Sequence, residues 1–340
     1  MFRVWLAIDM NLPLAAIGAQ ARRAEALGCD VVTLADVAYD ALLGAQAVIQ
    51  ATRRVAVATS GLVCFARSPM VTAVASWNLA ALSGGRFRLG LSSLVPPMLV
   101  GKYSVPWQSP APRMREYLGS LKAIYNSWQD DVPLRFEGRY YRFTRQNWWT
   151  RPAPIEHPDL PIHLGAIGPR MSAVAGECAR GLLTHPTNSD ARYIREVMLR
   201  NAQTGMQRAG RKPQDFELVV SPVCATGNSA AEIGAQRERY REMLAINLST
   251  PQYWPTLELH GWRSTGERLR ELWREGRPDL MAAQLTDEML DVLMPTAPWP
   301  RLARELRERF EGLVRGICLL LPVDTTHDAA LGRVIRELQE

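Results

Sequence analysis

Arg3-Val4-Trp5-Leu6-Ala7-Ile8-Asp9-Met10-Asn11-Leu12-Pro13 decides how the rest of the chain is read. Its first seven residues form a mostly apolar run that predicts a strand, and a turn follows. A doubly wound dinucleotide fold would place G-x-G-x-x-G at that turn, where glycines let the backbone approach a pyrophosphate. Asp9-Met10-Asn11-Leu12-Pro13 stands there instead, which argues against an open dinucleotide-binding sheet.

Outward from this junction, short apolar runs alternate with helical patterns. A helix is predicted from Leu14 to Leu27, stopped by Gly28 at the position where a left-handed backbone is needed. Further strands are predicted at about 30–34, 54–59, 86–91, 161–166, 181–184, 216–225 and 316–321. Helices fall between them, one starting at Pro69, where a missing N–H does no harm. Phe136 to Tyr141 suggests a small hairpin. Parallel strands need crossover connections and helices supply them. Eight such units predict an α/β fold, a TIM (β/α)8 barrel, in one domain over 1–340. Insertions are expected near 92–112, 132–158 and 247–298, and an open doubly wound sheet is the alternative.

Composition narrows the function classes. With 47% apolar residues over 340 positions, a core is available and global disorder is excluded. The 40 Lys+Arg against 34 Asp+Glu leave +6, and only Lys102, Lys122 and Lys212 are lysines. The arginines are interleaved with acids, as in Arg301, Arg304, Glu305, Arg307, Glu308 and Arg309, which reads as a solvated helix face and predicts no nucleic-acid partner. Cys29, Cys64, Cys178, Cys224 and Cys318 include no CxxC pair, so neither a disulfide framework nor a zinc site is indicated. Asp9 comes too early for a signal peptide, and no apolar run approaches the roughly 18 residues of a membrane span. A soluble, cytoplasmic protein is expected.

In a barrel, chemistry sits where strands end and βα loops begin. That rule selects Asp9, Asp36, Thr59-Ser60-Gly61, Ser92-Ser93, Gly165 to Pro169 and Thr184-His185. Asp9 and Asp36 serve equally well as helix caps. The two serines lack a G-x-S-x-G setting and read as loop hydrogen-bonders as readily as anything else. His185 is placed to transfer protons near neutral pH, with a structural histidine as the competing reading. The other histidines share no ligand spacing with it, so no metal is expected. Gly165-Ala166-Ile167-Gly168-Pro169 precedes a helix and forms a plausible phosphate cradle.

Several of these segments together resemble one family. Gly28-Cys29-Asp30-Val31-Val32-Thr33-Leu34-Ala35-Asp36 is similar to the G-F-D-x-x-W-x-x-D segment of luciferase-like monooxygenases. Thr59-Ser60-Gly61 through Pro69 resembles that superfamily's strand-three bulge and helix start. Ser83-Gly84-Gly85-Arg86-Phe87-Arg88-Leu89-Gly90-Leu91 is similar to its L-S-x-G-R-x-x-L-G-x-G signature. Pro161 to Pro169 and Gly181 to Pro186 fit the later half. Tyr103 to Trp107 and the segment around His260-Gly261-Trp262 look most like the coenzyme F420-dependent oxidoreductase branch.

The resemblance implies a deazaflavin, F420, at the strand C-termini, with FMN as the alternative cofactor of an oxygen-using monooxygenase. A non-catalytic cofactor- or partner-binding barrel is a third reading. It implies a non-prolyl cis peptide at Ser60-Gly61 set against the ring, with Asp9, Asp36, Thr59, Ser60, Gly61, Ser92, Ala166, Gly168 and Pro169 around the cofactor and the Gly168 loop on its phosphate. The polyglutamate tail would need arginine neighbours. Asp36 or His185 would exchange the proton during hydride transfer to or from a small organic substrate, and a homodimer is implied. Three departures stand out. Val37 follows Asp36 where some F420 dehydrogenases have histidine. Arg180 replaces the acid of an Asp-Gly pair. The Ser92 to Gly101 loop is apolar, which points to a hydrophobic substrate or an altered cofactor site.

Overall fold

The computed structural model describes all 340 residues. Eight parallel strands close on themselves: β1 Arg3–Ala7, β2 Val31–Leu34, β3 Ala56–Thr59, β4 Phe87–Ser92, β5 Ile162–Gly165, β6 Gly181–Leu183, β7 Glu217–Val220 and β8 Gly316–Leu320. Each pairs with the next, β8 returns to β1 through Arg3 opposite Gly316, and β3 meets β4 through Val57 opposite Phe87. The expected TIM barrel is therefore the fold, and the open sheet is excluded by this closure. The period-two alternation of the strands explains which side chains fill it. On β1, Val4 and Leu6 pack outward among the helices, whereas Trp5 joins Val31, Ala58, Leu183, Val219 and Cys318 in a separate cluster of strand residues.

Local chemistry sets the helix boundaries. Helix α1, Leu14–Leu27, ends on Gly28 at φ 92°. Helix α2, Ala41–Ala51, is capped by the Asp40 carboxylate, which accepts from the N–H groups of Leu42 and Leu43. Helix α3, Pro69–Ser83, starts on Pro69 with Ser68 as its cap. The predicted seventh strand is too long: pairing stops at Val220, and Pro222, which has no N–H to donate, lies in the segment beyond it. The 301–309 run lies on a helix, with Arg304 and Glu308 paired at 2.7 Å.

The segments expected to be insertions carry structure of their own, and the third shares its core with residues before 247, among them Leu244 and Ala245. Residues 92–112 contain helix α4, Pro96–Tyr103, and the start of helix α5, Pro110–Gln129. The small hairpin pairs Phe136 with Phe143. Between β7 and β8, helices including Ala230–Leu248 and Arg263–Arg274 surround a core of 14 buried residues distinct from the barrel's 70.

At the end of β3 the ladder is interrupted and a side chain carries it on. The Thr59 hydroxyl donates to Gly90 O and accepts from Gly90 N, both at 2.8 Å. A Cβ on Gly90 would collide with Thr59 O, so only glycine lets the strands approach this closely. Thr59→Val should leave both Gly90 backbone groups unpaired in a buried site and lower stability by about 2–4 kcal/mol. A urea midpoint unchanged from wild type would remove this bridge from the account of barrel closure.

Candidate active site

The strand C-termini surround a cavity of about 690 Å³. Asp36, Ser60, Gly61, Ser92, Ala166, Gly168, Pro169 and His185 line it, so most of the residues selected by the strand-end rule converge. Asp9 and Thr59 do not line it. Asp9 closes its own turn, accepting from the backbone and side-chain nitrogens of Asn11 at 2.9 Å, and Thr59 serves the Gly90 bridge.

One wall is backbone. The Ser60–Gly61 peptide is cis, as the resemblance implies. Ser60 N donates to Leu34 O at 2.6 Å, and Gly61 O accepts from Asp36 N at 3.5 Å. Beside this wall, the Asp36 side chain is almost fully buried and its carboxylate is surrounded by donors. Ala41 N reaches Oδ1 at 2.9 Å, while Val63 N and Arg67 Nη1 each reach Oδ2 at 2.8 Å. Three strong donors tie this carboxylate to three chain segments, which is a scaffold's geometry rather than that of a mobile proton carrier.

Another part of the lining suits an anion. Helix α6, Pro169–Cys178, has no side-chain cap at Gly168, so its first-turn N–H groups lack acceptors. Asn188 donates to Ala166 O at 3.0 Å and the Tyr193 hydroxyl to Ile167 O at 2.8 Å. In a trans peptide the N–H points opposite to its carbonyl. The N–H groups of Ile167 and Gly168, which have no acceptor in the protein, are therefore turned away from Asn188 and Tyr193. Arg170 is the only Lys or Arg in the lining.

His185 follows β6. Its Nδ1 accepts from Thr187 N at 3.3 Å and lies 2.9 Å from the Thr187 hydroxyl, which assigns the ring proton to Nε2, a nitrogen with no protein partner. The ring stacks on Tyr253 at 4.6 Å and 18°. Burial pushes its pKa down to about 4, so the ring is neutral at pH 7. The expectation of proton transfer near neutrality thus changes form: the group offers a neutral N–H rather than an imidazolium.

The strand-end rule did not select Gln252, Tyr253, Trp107 or the run Leu94-Val95, all of which complete the cavity. Leu94 and Val95 lay in the apolar loop already noted, and Arg170 directly follows Pro169. Tyr253 carried no signal, because it reaches the site from a segment 68 residues beyond His185.

Comparison with known proteins agrees with this geometry. A family model described as luciferase-like monooxygenase matches residues 1–316. An uncharacterized protein of Mycobacterium tuberculosis is 35% identical, covering 91% of each chain. A second protein of that organism, provisionally named a coenzyme F420-dependent oxidoreductase, is 29% identical, covering 71% of each. Among solved structures, the coenzyme F420 dependent tetrahydromethanopterin reductase from Methanopyrus kandleri superposes with a TM-score of 0.82 at 19% identity. It covers 99% of this chain and 98% of that one.

Proposed function

Because this chain belongs to the luciferase-like monooxygenase family, we propose that its cavity holds coenzyme F420 and serves hydride transfer to or from a neutral, hydrophobic small molecule. The observation that carries the reading is the uncapped start of helix α6 on a cavity that the Ser60–Gly61 backbone also lines. The Ile167 and Gly168 N–H groups suit a phosphate, and the backbone wall suits a planar ring. The relative named for F420 supports a deazaflavin over FMN. When bound, the cofactor supplies the two-electron carrier.

The chain's own residues position, shield and orient. Asp36 holds the ring-facing wall in place through its three donors, a positioning role that replaces the proton-carrying role considered for it. His185 presents a neutral Nε2–H to an oxygen developing charge on the substrate. Leu94, Val95, Trp107 and Pro110 surround the remaining space, and Arg170 is the sole Lys or Arg there. A phosphorylated sugar would require more cations than this lining offers, and an apolar alcohol or carbonyl compound suits it.

A homodimer, as the family resemblance implies, would have the exposed Leu43 on α2 and Val71 and Val74 on α3 available to its interface. No helix is long and apolar enough to cross a membrane. All five cysteines are free thiols, in keeping with a reducing compartment such as the cytoplasm.

Titrating the protein with F420 and with FMN, and following quenching of cofactor fluorescence, tests the assignment. Saturable F420 binding is expected, weakened about 2- to 5-fold by Arg170→Ala in a salt-dependent way. Tight FMN binding without F420 binding would make the protein a flavin monooxygenase instead. Binding of neither would favour a non-catalytic barrel.

A further inference from the structure

Asp190 sits at a junction of three parts of the molecule. It caps a helix that begins at Ala191–Tyr193, turns through a π-helical stretch at Ile194–Leu199 and continues as Arg200–Arg208. Its Oδ1 accepts from Arg192 N at 3.2 Å and its Oδ2 from Tyr193 N at 2.8 Å. The same Oδ2 lies 2.8 Å from His260 Nε2, with both side chains largely buried. His260 belongs to the segment with its own core and stacks on Trp262 at 4.7 Å.

From this junction, hydrogen bonds run to both functional loops. The Ser189 hydroxyl donates to His185 O at 3.0 Å and pairs with the Thr184 hydroxyl at 2.7 Å. Asn188 and Tyr193 hold the carbonyls of Ala166 and Ile167, and so set the direction of the unpaired N–H groups of Ile167 and Gly168.

We propose that His260 is a positioning residue: by clamping Asp190 it fixes the 184–193 segment, which in turn aims the Ile167 and Gly168 N–H groups at the cofactor phosphate and holds His185 against Tyr253. The segment between β7 and β8 is then part of the cofactor-binding machinery, although none of its residues touches the 165–168 loop through these bonds. This rests on the F420 reading for the identity of the anion. The clamp itself is independent of that reading.

The test compares His260→Ala with His260→Gln, whose amide can still donate to Asp190. Three quantities are measured on the full chain: the F420 dissociation constant, amide hydrogen exchange over 165–171 and 184–194, and the thermal midpoint. His260→Ala should raise the dissociation constant by roughly tenfold or more, the scale of misaligned hydrogen bonds to a charged group. It should also speed exchange in both segments, while His260→Gln stays within about threefold of wild type. A purely structural weld would lower the thermal midpoint while leaving affinity and 165–171 exchange unchanged, and that result overturns the proposal. If wild type binds no F420, the functional reading fails. Exchange then decides the clamp alone: unaltered protection at 165–171 in His260→Ala would sink it.

Discussion

Asp36→Ala is expected to destabilise the protein by about 3–5 kcal/mol, because it leaves a largely buried guanidinium without its buried carboxylate partner. Arg67 would retain its 2.8 Å contact to the partly exposed Asp40 and its 3.1 Å bond to Val63 O. The N–H groups of Ala41 and Val63 would lose their acceptor at the same time. The effect should appear as a lower urea midpoint with an unchanged slope. Asp36→Asn keeps the shape but turns one acceptor oxygen into a donor facing other donors, so it should recover only part of the loss. A variant as stable as wild type that has nevertheless lost turnover would return Asp36 to direct chemistry.

His185→Phe tests the other end of the cavity. The substitution preserves a flat ring against Tyr253 and removes the Nε2–H. Turnover should fall about 10²- to 10³-fold, the usual cost of losing one hydrogen-bond donor to developing charge, with cofactor affinity nearly unchanged. The pH dependence follows from the depressed pKa. The folded ring stays neutral down to about pH 4, whereas the unfolded ring protonates near 6.5. Below pH 6.5 the unfolded chain binds a proton that the folded chain refuses, so this contribution to stability is complete above 6.5 and is lost as pH falls toward 4. Turnover should therefore show no His185 limb near neutrality. A wild-type limb near pH 6.5 that disappears in His185→Phe would contradict a neutral ring.

What could be read in the sequence was whatever the chain decides locally. Gly28 stops α1, Pro69 begins α3, and eight alternating units require a parallel sheet whatever the details of packing. The barrel then draws its strand ends together, which is why most of the selected residues share one cavity. The roles of those residues depend on partners distant in sequence. Thr59 is selected as a strand-end residue and through the family resemblance, while its orientation is set by Gly90, 31 residues away. Asp36 can be read as a helix cap or as a proton carrier, and only folding brings Arg67, 31 residues away, to it. His185 was visible as a strand-end histidine, and nothing local indicated that Tyr253 would cover its ring.

The two separate cores carry a consequence for how this molecule can vary. Residues packed around Leu244, Leu257, Leu269 and Leu290 share no core cluster with those around the strands. Substitutions in one group should combine almost independently with those in the other. The roof above the cavity is in effect a cassette, able to be resculpted for a new guest while the eight-stranded frame is left as it stands. Its attachments include a histidine on a carboxylate, a tyrosine laid on an imidazole, and Arg309 of the helix before β8 donating to the carbonyls of Asp291 and Val292.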